Sequence, residues 1–393
     1  RGIELSMALR PISPQTALPE VAAGSSVRAY IDNALTTLIQ ELTSSPADSQ
    51  PSIILRCRVD PANCIVNPVS GTLEAVQRNE SYRTYSWPGN TAYESWKFTV
   101  IIRVLSMIDQ ALREGRLISK RDIFYIDPAY FQSQATVNSV IDDLAYTIGV
   151  NRLALNVEAA GKGLVAGSLR LLRESRVILN AQSASEDNLI PRIQDTDEID
   201  VSSARWILVI EKEAVFHRLV RNNYHTRALA GRGILITGKG YPDICTRRFL
   251  HRIFEAETNR NQRRLPFYAL VDGDPHGLTI MSTYKYGSLA QLHENAGLTL
   301  PPLQWLGLKI TDAADETQNS SGELFLSLTT RDRKKIVSML RRSPIWASDG
   351  VEPEWCAELQ RMLMLNVKVE IEKLYDDGGS LEDWIDRKMF RQR

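Results

Sequence analysis

The sequence predicts a multidomain α/β protein: a small helical module with a few strands, then a parallel sheet wrapped in helices, then a helical C-terminal extension. Three observations carry this. Between Tyr93 and Ile148, apolar residues recur at helical spacing in successive segments. From Trp206 onward, short apolar runs (WILVI at 206–210, GILIT at 233–237, FYALV at 267–271) alternate with helical segments, the pattern of strands that must run parallel. A chain of 393 residues with 43% hydrophobic content is also long enough to bury more than one core.

Residues 1–86 form a variable region with a helix near Val27 to Leu42 and a strand at Ile53 to Val59; SSPADSQPS at 44–52 reads as a turn or linker. A second region spans 87–182. Phe98, Ile101, Ile102, Leu105, Ile108 and Leu112 mark a helix that Gly115 stops. Ser119 can cap a short helix through Arg121 to Tyr125, which Asp127 and Pro128 end. Val137 to Ile148 supplies a third helix, and strand-like pieces follow at Leu153 to Val157, Leu164 to Ala166 and Arg176 to Leu179. Three helices with a small sheet suggest a winged helix-turn-helix, a module used both to hold DNA and to bind protein. The polar, acidic stretch 183–200 reads as a linker to the α/β domain at 201–393. Within that domain, helices are expected at Ala214 to Asn222 and Asp243 to Ala256. The tail from Leu303 is expected to be mostly helical, with a helix opened by Thr330 or Asp332 and a long amphipathic helix from Trp355 to Tyr375 that DDGG at 376–379 breaks.

Composition narrows the function. No apolar run is long enough to span a bilayer, so a soluble protein is expected. Four scattered cysteines, Cys57, Cys64, Cys245 and Cys356, form neither a disulfide framework nor a zinc motif, which fits a reducing compartment. With no HExxH pair among five histidines, a metal here would be held by oxygen. Formal net charge is zero, against a protein that coats nucleic acid by bulk charge. The segment Arg218 to Arg264, however, carries eleven Arg or Lys against Asp243, Glu255 and Glu257, an excess of eight that suits either a phosphate backbone or a solvated helix face.

The chemistry-bearing stretch is VDGDPHG at 271–277, where Asp272 and Asp274 follow an apolar strand. Residues two apart on a strand share a face, and two carboxylates about 6–7 Å apart repel by roughly 2–3 kcal/mol at an effective dielectric near 20, which a hard divalent cation turns to attraction. Taken alone, an aspartate-rich turn after a strand is more often a solvated loop than a metal ligand. Glu211 closes another strand, and in parallel sheets functional groups gather beyond the carboxyl ends of strands, so three acids can converge on one cation.

KRDIFY at 120–125, KGL at 162–164, VIEKEAVFHRL at 209–219, GKGYPD at 238–243, VDGDPHG and WLGL at 305–308 occur in one order. From about Trp87 to Tyr375 the chain resembles the topoisomerase VI A-subunit family, most of all its eukaryotic members that make meiotic DNA double-strand breaks. The resemblance implies a Toprim fold for 201–393, with Tyr125 as the nucleophile that becomes linked to a 5′ phosphate. It also implies Mg²⁺ held by Glu211, Asp272 and Asp274. Phe124 stands where some relatives carry a second tyrosine, and Tyr130 lies outside the motif. Arg121, one turn before Tyr125, matches a basic position suited to a phenolate or a phosphate. Lys162 and Tyr241 match positions that face DNA. Asp243 is expected to begin a helix rather than bind metal, and Glu213, His276, Arg247 and Arg248 are neighbours without an assigned role.

The implied partners are double-stranded DNA, a second copy that completes each site, a topoisomerase VI B-like subunit carrying the ATPase module, and other meiotic recombination factors in the nucleus. No membrane is implied, and no Walker A motif is present in this sequence. Two other readings stay open: a Toprim nuclease or primase in which Tyr125 is structural, and a catalytically silent DNA-binding scaffold.

Overall fold

The computed structural model describes residues 20–44, 50–58, 63–76, 81–158, 161–182, 188–259, 265–288, 292, 295, 297–317, 324–376 and 380–392. They divide into two compact units, one drawn from Arg1–Val59 and Val76–Ala160, the other from Asp60–Ala75 and Gly161–Arg393. Residues 183–187 of the expected linker and 377–379 of the DDGG break lie outside the described residues. No helix among the described residues is long and apolar enough to cross a membrane.

The first unit opens with α1 (Glu20–Thr43) and β1 (Ser52–Arg56). A hairpin of β2 (Cys64–Val66) and β3 (Leu73–Ala75) then departs to the second unit, and β4 (Tyr82–Ser86) returns to pair antiparallel with β1. Next come α2 (Ala92–Glu114), β5 (Ile118–Ser119), α3 (Lys120–Ile126), α4 (Pro128–Phe131), α5 (Gln134–Ile148) and β6 (Val157–Glu158), the last parallel to β5. The periodic residues form the expected stripes. Ile101, Val104 and Ile108 of α2, Ile123 of α3, and Val137, Val140, Ile141 and Leu144 of α5 are fully buried in one core. Each such burial contributes about 1.5–3 kcal/mol, far more than helix propensity offers a seven-residue helix such as α3. Thr91 caps α2, and Gly115 ends it in the left-handed region at φ 62°, where a side chain would be strained. Leu153 to Val157 is not one strand: Arg152–Leu155 forms a 3₁₀ turn capped by Asn151, leaving only β6 extended.

In the second unit, β7 (Leu164–Gly167), β8 (Arg170–Arg173), β9 (Arg176–Asn180) and β10 (Glu198–Asp200) precede the core. There follow β11 (Ile207–Ile210), α6 (Glu213–Arg221), α7 (Tyr224–Arg227), β12 (Ile234–Thr237), α8 (Ile244–Asn259), β13 (Phe267–Leu270), α9 (Pro275–Lys285) and β14 (Leu303–Gly307). The main sheet runs β14-β13-β11-β12-β7, parallel except for β7, which pairs antiparallel with β12 at one edge. Residues of β11, β12 and β13 are buried throughout, as expected when helices cover both faces.

Two sequence expectations change here. The pieces from Leu164 to Leu179, grouped by sequence with the first module, belong to the second unit. All four residues of β7 are buried, so this strand needs cover on both faces, which the edge of the parallel sheet supplies. The tail is less helical than its pattern suggested. Leu303–Gly307 is a strand, and the helix expected from Trp355 to Tyr375 stops at Leu365, where Asn366 turns left-handed at φ 56°. After α10 (Ile310–Thr317), β15 (Phe325–Ser327), α11 (Thr330–Arg342) and α12 (Pro353–Leu365), the chain therefore forms β16 (Val367–Val369), which pairs with β15 and bridges Gly273. Short α13 (Lys373–Asp376) and α14 (Leu381–Arg391) close the unit. The β-branched pair in Val-Lys-Val favours extension once Asn366 has ended the helix.

Candidate active site

On α3, Tyr125 is 67% exposed and Arg121, one turn earlier, is exposed on the same face. This short helix is fixed by a cap, by one buried anchor and by an ion pair to α5. Ser119 and Asp122 form a reciprocal capping box, and Ile123 anchors the opposite face in the core. Lys120 Nζ donates to Asp142 Oδ1 of α5 at 2.7 Å, and Arg152 Nε lies 2.8 Å from the same oxygen. The Phe124 ring, half-buried, sits 5.5 Å from that of Tyr125. Tyr125 is thus presented outward from a braced base, while Tyr130 lies half-buried against the core.

The acid cluster lies where the strand order reverses, with β12 on one side of β11 and β13 on the other. Glu211 N donates to Leu270 O, which brings the ends of β11 and β13 together. Glu211 Oε2 accepts from Asp272 N at 2.9 Å. Asp272 Oδ1 accepts from Ile371 N at 2.9 Å, and its Oδ2 lies 2.9 Å from Lys212 Nζ. Asp274 has left the strand: it is the N-cap of α9, its Oδ1 accepting from His276 N and Gly277 N. Both aspartates lie beyond Leu270, the last residue of β13, on either side of Gly273, which is bridged to Val369 of β16. Gly277 is needed for this close approach, because a Cβ there would meet Asp272 O at 2.3 Å and Glu211 Oε2 at 3.1 Å.

Burial, then the charge of Asp272, pushes the Glu211 carboxyl up to about 8. Burial raises Asp272 to about 6 against the opposing pull of Lys212 and the Ile371 N–H. Lys212 itself is raised above the ordinary lysine range: burial works against its charge, but its hydrogen bond to Glu372 and the carboxylate of Asp272 outweigh that. Among the described residues no set of three or more acid, histidine or cysteine side chains is already gathered as a metal cage. The donor set nevertheless fits a hard cation. Three carboxylates share one region at a cost to Glu211, and neither Glu211 Oε1 nor Asp274 Oδ2 takes part in the described hydrogen bonds.

The GKGYPD loop is tightly built. Lys239 and Gly240 both have positive φ, Gly240 N donates to Glu211 O, and Asp243 caps the start of α8 by accepting from Thr246 N. Lys162, expected to face DNA, is half-buried and spends its ammonium on Lys239 O at 2.9 Å, while its backbone N–H goes to Asp243 Oδ2. In this structure it braces the loop. Tyr241 is 45% exposed, and its hydroxyl accepts from Lys335 Nζ of α11 at 2.9 Å. Much of the basic stretch also serves the fold: Arg247 is buried and donates to Leu298 O and Asn295 Oδ1, Arg252 donates to Asp195 O, and Arg218 lies over the Tyr375 ring.

The family profile for the Toprim domain of the topoisomerase 6 A-subunit and Spo11 proteins matches residues 206–388, and one described as "Type IIB DNA topoisomerase" matches residues 96–157. The chain is 37% identical over 299 residues to meiotic recombination protein SPO11-1 of Oryza sativa subsp. indica, covering 76% of this chain and 75% of the relative. It is 31% identical over 362 residues to human meiotic recombination protein SPO11 (92% and 86% covered), and 32% identical over 366 residues to meiotic recombination protein rec12 of Schizosaccharomyces pombe (92% and 94%). The chain belongs to the topoisomerase VI A/Spo11 family. Arg121 and Tyr125 fall within the type IIB topoisomerase match, Glu211, Tyr241, Asp272 and Asp274 within the Toprim match, and Lys162 between the two.

Two residues of this topoisomerase VI A/Spo11 chain have no signal in the sequence. Lys212 follows Glu211 directly but reads as an ordinary solvated lysine, and Lys335 sits in RDRKK at 331–335, which reads as a solvated basic helix face. Neither stands out locally, because each takes its importance from a partner distant in sequence.

Proposed function

We propose that this chain makes the DNA double-strand breaks that initiate meiotic recombination, by transesterification from Tyr125. The observation that carries the reading is the exposed Tyr125, one turn after exposed Arg121, inside the segment that matches type IIB DNA topoisomerases. Tyr125 Oη attacks the phosphorus of a backbone phosphodiester. The new O–P bond forms as the bond to the 3′ oxygen breaks; that oxygen leaves as a free hydroxyl, and the 5′ phosphate stays on the tyrosine. The attacking oxygen must lose its proton, and the Arg121 guanidinium, one turn earlier on the same face, can stabilise the phenolate or the phosphate.

Glu211, Asp272 and Asp274 are the residues that would hold Mg²⁺, which when bound supplies positive charge to the phosphate and the departing 3′ oxygen. Asp272 is held in place by the hydrogen bond from Ile371 N and by Lys212. The first unit is read as a winged helix-turn-helix that presents α3 to duplex DNA. Two copies supply two composite sites, Tyr125 from one beside the acids of the other, so that each site cuts one strand. A topoisomerase VI B-like subunit, other recombination factors and a nuclear location complete the reading.

The test is to incubate the protein and its partners with duplex DNA and Mg²⁺, denature, and look for protein attached to 5′ ends. Attachment that disappears in Tyr125→Phe is the expected result. Free 5′ ends persisting in that variant would instead point to a Toprim nuclease, and intact DNA with tight binding would point to a scaffold.

A further inference from the structure

Tyr241 rides on a loop between β12 and α8, outside any regular element, yet its ring is held from one side. Lys335 Nζ donates to the Tyr241 hydroxyl at 2.9 Å, lies 5.6 Å from the centre of its ring, and stands 3.2 Å from His276 Nδ1. His276 follows Asp274 by two residues at the start of α9, so a single ammonium ties the Tyr241 loop to the turn that carries an acid of the site. An ammonium has three donors and no lone pair, so His276 Nδ1 must accept here. Two donors are then engaged and one remains.

Helix α11 gives Lys335 a firm base. Thr329 and Asp332 form a capping box, Ile336 and Met339 are buried, and Thr279 Oγ1 of α9 reaches Met339 Sδ at 3.8 Å. Asp332, one turn before Lys335, accepts from Thr329 N and lies 3.2 Å from Lys368 Nζ. The described bonds of that acid thus go elsewhere. Arg331, four residues before Lys335 and on the same helical face, is exposed, as is Lys334.

We infer that Lys335 is a positioning residue: it fixes the Tyr241 ring beside the acid cluster and offers its remaining N–H to a DNA phosphate, so that aromatic and phosphate contacts are made as one unit. The inference rests on the DNA-cleaving reading above and extends it to a residue on a different helix. A phosphate is the anion that such a donor, flanked by Arg331, suits, and a base or sugar is what a half-exposed tyrosine ring can rest against.

The test is equilibrium binding of the full chain to a labelled DNA duplex across a salt series, read by anisotropy without any cleavage. Lys335→Met should bind about tenfold more weakly, with the slope of log affinity against log salt reduced by about one, as for loss of one phosphate contact. Lys335→Arg should restore most of the slope. Tyr241→Phe, which keeps the ring and loses the hydroxyl, should weaken binding less and leave the slope unchanged. Adding it to Lys335→Met should cost nothing further, because the two residues act together. Wild-type affinity and slope in a folded Lys335→Met would overturn the inference, as would strictly additive losses in the double variant. Wild-type protein that fails to bind duplex would overturn the DNA reading and this inference together, whereas binding with no covalent product would remove only the cleavage step.

Discussion

Lys212 Nζ lies 2.9 Å from Asp272 Oδ2, so one of the carboxylates at the strand ends already carries an internal cation. That pairing bears on metal binding, because a divalent ion and the lysine draw on the same negative charge. Lys212→Met should leave Asp272, 7% exposed, without a counter-charge and lower stability by roughly 1–3 kcal/mol, less than for a fully buried pair because Lys212 stays 25% exposed. Mg²⁺ should then raise the melting temperature of the variant more than that of the wild type. Equal increments in thermal melts would show that lysine and cation do not compete.

Asp274 does two separable things. Its Oδ1 caps α9, a task asparagine also performs well, whereas binding a cation needs the charge. Asp274→Asn should therefore melt close to wild type yet form no tyrosyl-DNA product. Asp274→Ala should lose the product and also about 1 kcal/mol of stability through the missing cap. Chemical denaturation of the two variants side by side separates the roles; matched stabilities would show that the cap contributes nothing.

Arg121 is exposed and contributes no described packing, so Arg121→Ala should change stability by less than about 0.5 kcal/mol. The initial rate of tyrosyl-DNA formation should nevertheless fall roughly 100-fold, the scale for removing one donor to developing negative charge. Arg121→Lys should recover part of it, since the charge returns without the fork geometry. An unchanged rate in Arg121→Ala would remove this residue from the chemistry.

Asp197 is buried and paired with Arg173 through two hydrogen bonds of 2.8 Å, and the Arg173 guanidinium holds its carboxyl below the usual range. A carboxylate depressed in the folded state stabilises fully above its unfolded pKa, near 3.9, and that stability is lost as pH falls through the lower folded value. Asp197→Asn should thus be less stable than wild type at pH 7, with the difference shrinking as pH drops below about 4. Urea midpoints at several pH values would show it, and a gap that widens toward acid would contradict the pairing.

Much of this protein is legible in its sequence because the signals are local. The stripe on α2, the Ser119 cap, the Gly115 stop and the apolar runs of β11, β12 and β13 are set by residues within a few positions of one another. Glu211, Asp272 and Asp274 are visible for the same reason, as acids just past apolar runs. The misplaced elements are those in which partners outweigh periodicity. Leu164–Gly167 reads as a generic strand until the edge of β12 claims it, and the segment after Leu365 keeps an amphipathic pattern although Asn366 and pairing with β15 make it extended.

Sequence alone thus determined the helices α2, α3 and α5, the buried strands β11, β12 and β13, and the acids just past the apolar runs. Tertiary structure decided what each acid touches: Ile371 N reaches Asp272 across 99 residues, and Lys335 reaches Tyr241 across 94. The physical reason is the strand order of the sheet. Placing β13 and β12 on opposite sides of β11 brings distant loops to one edge, and no local pattern of spacing encodes which of them will meet.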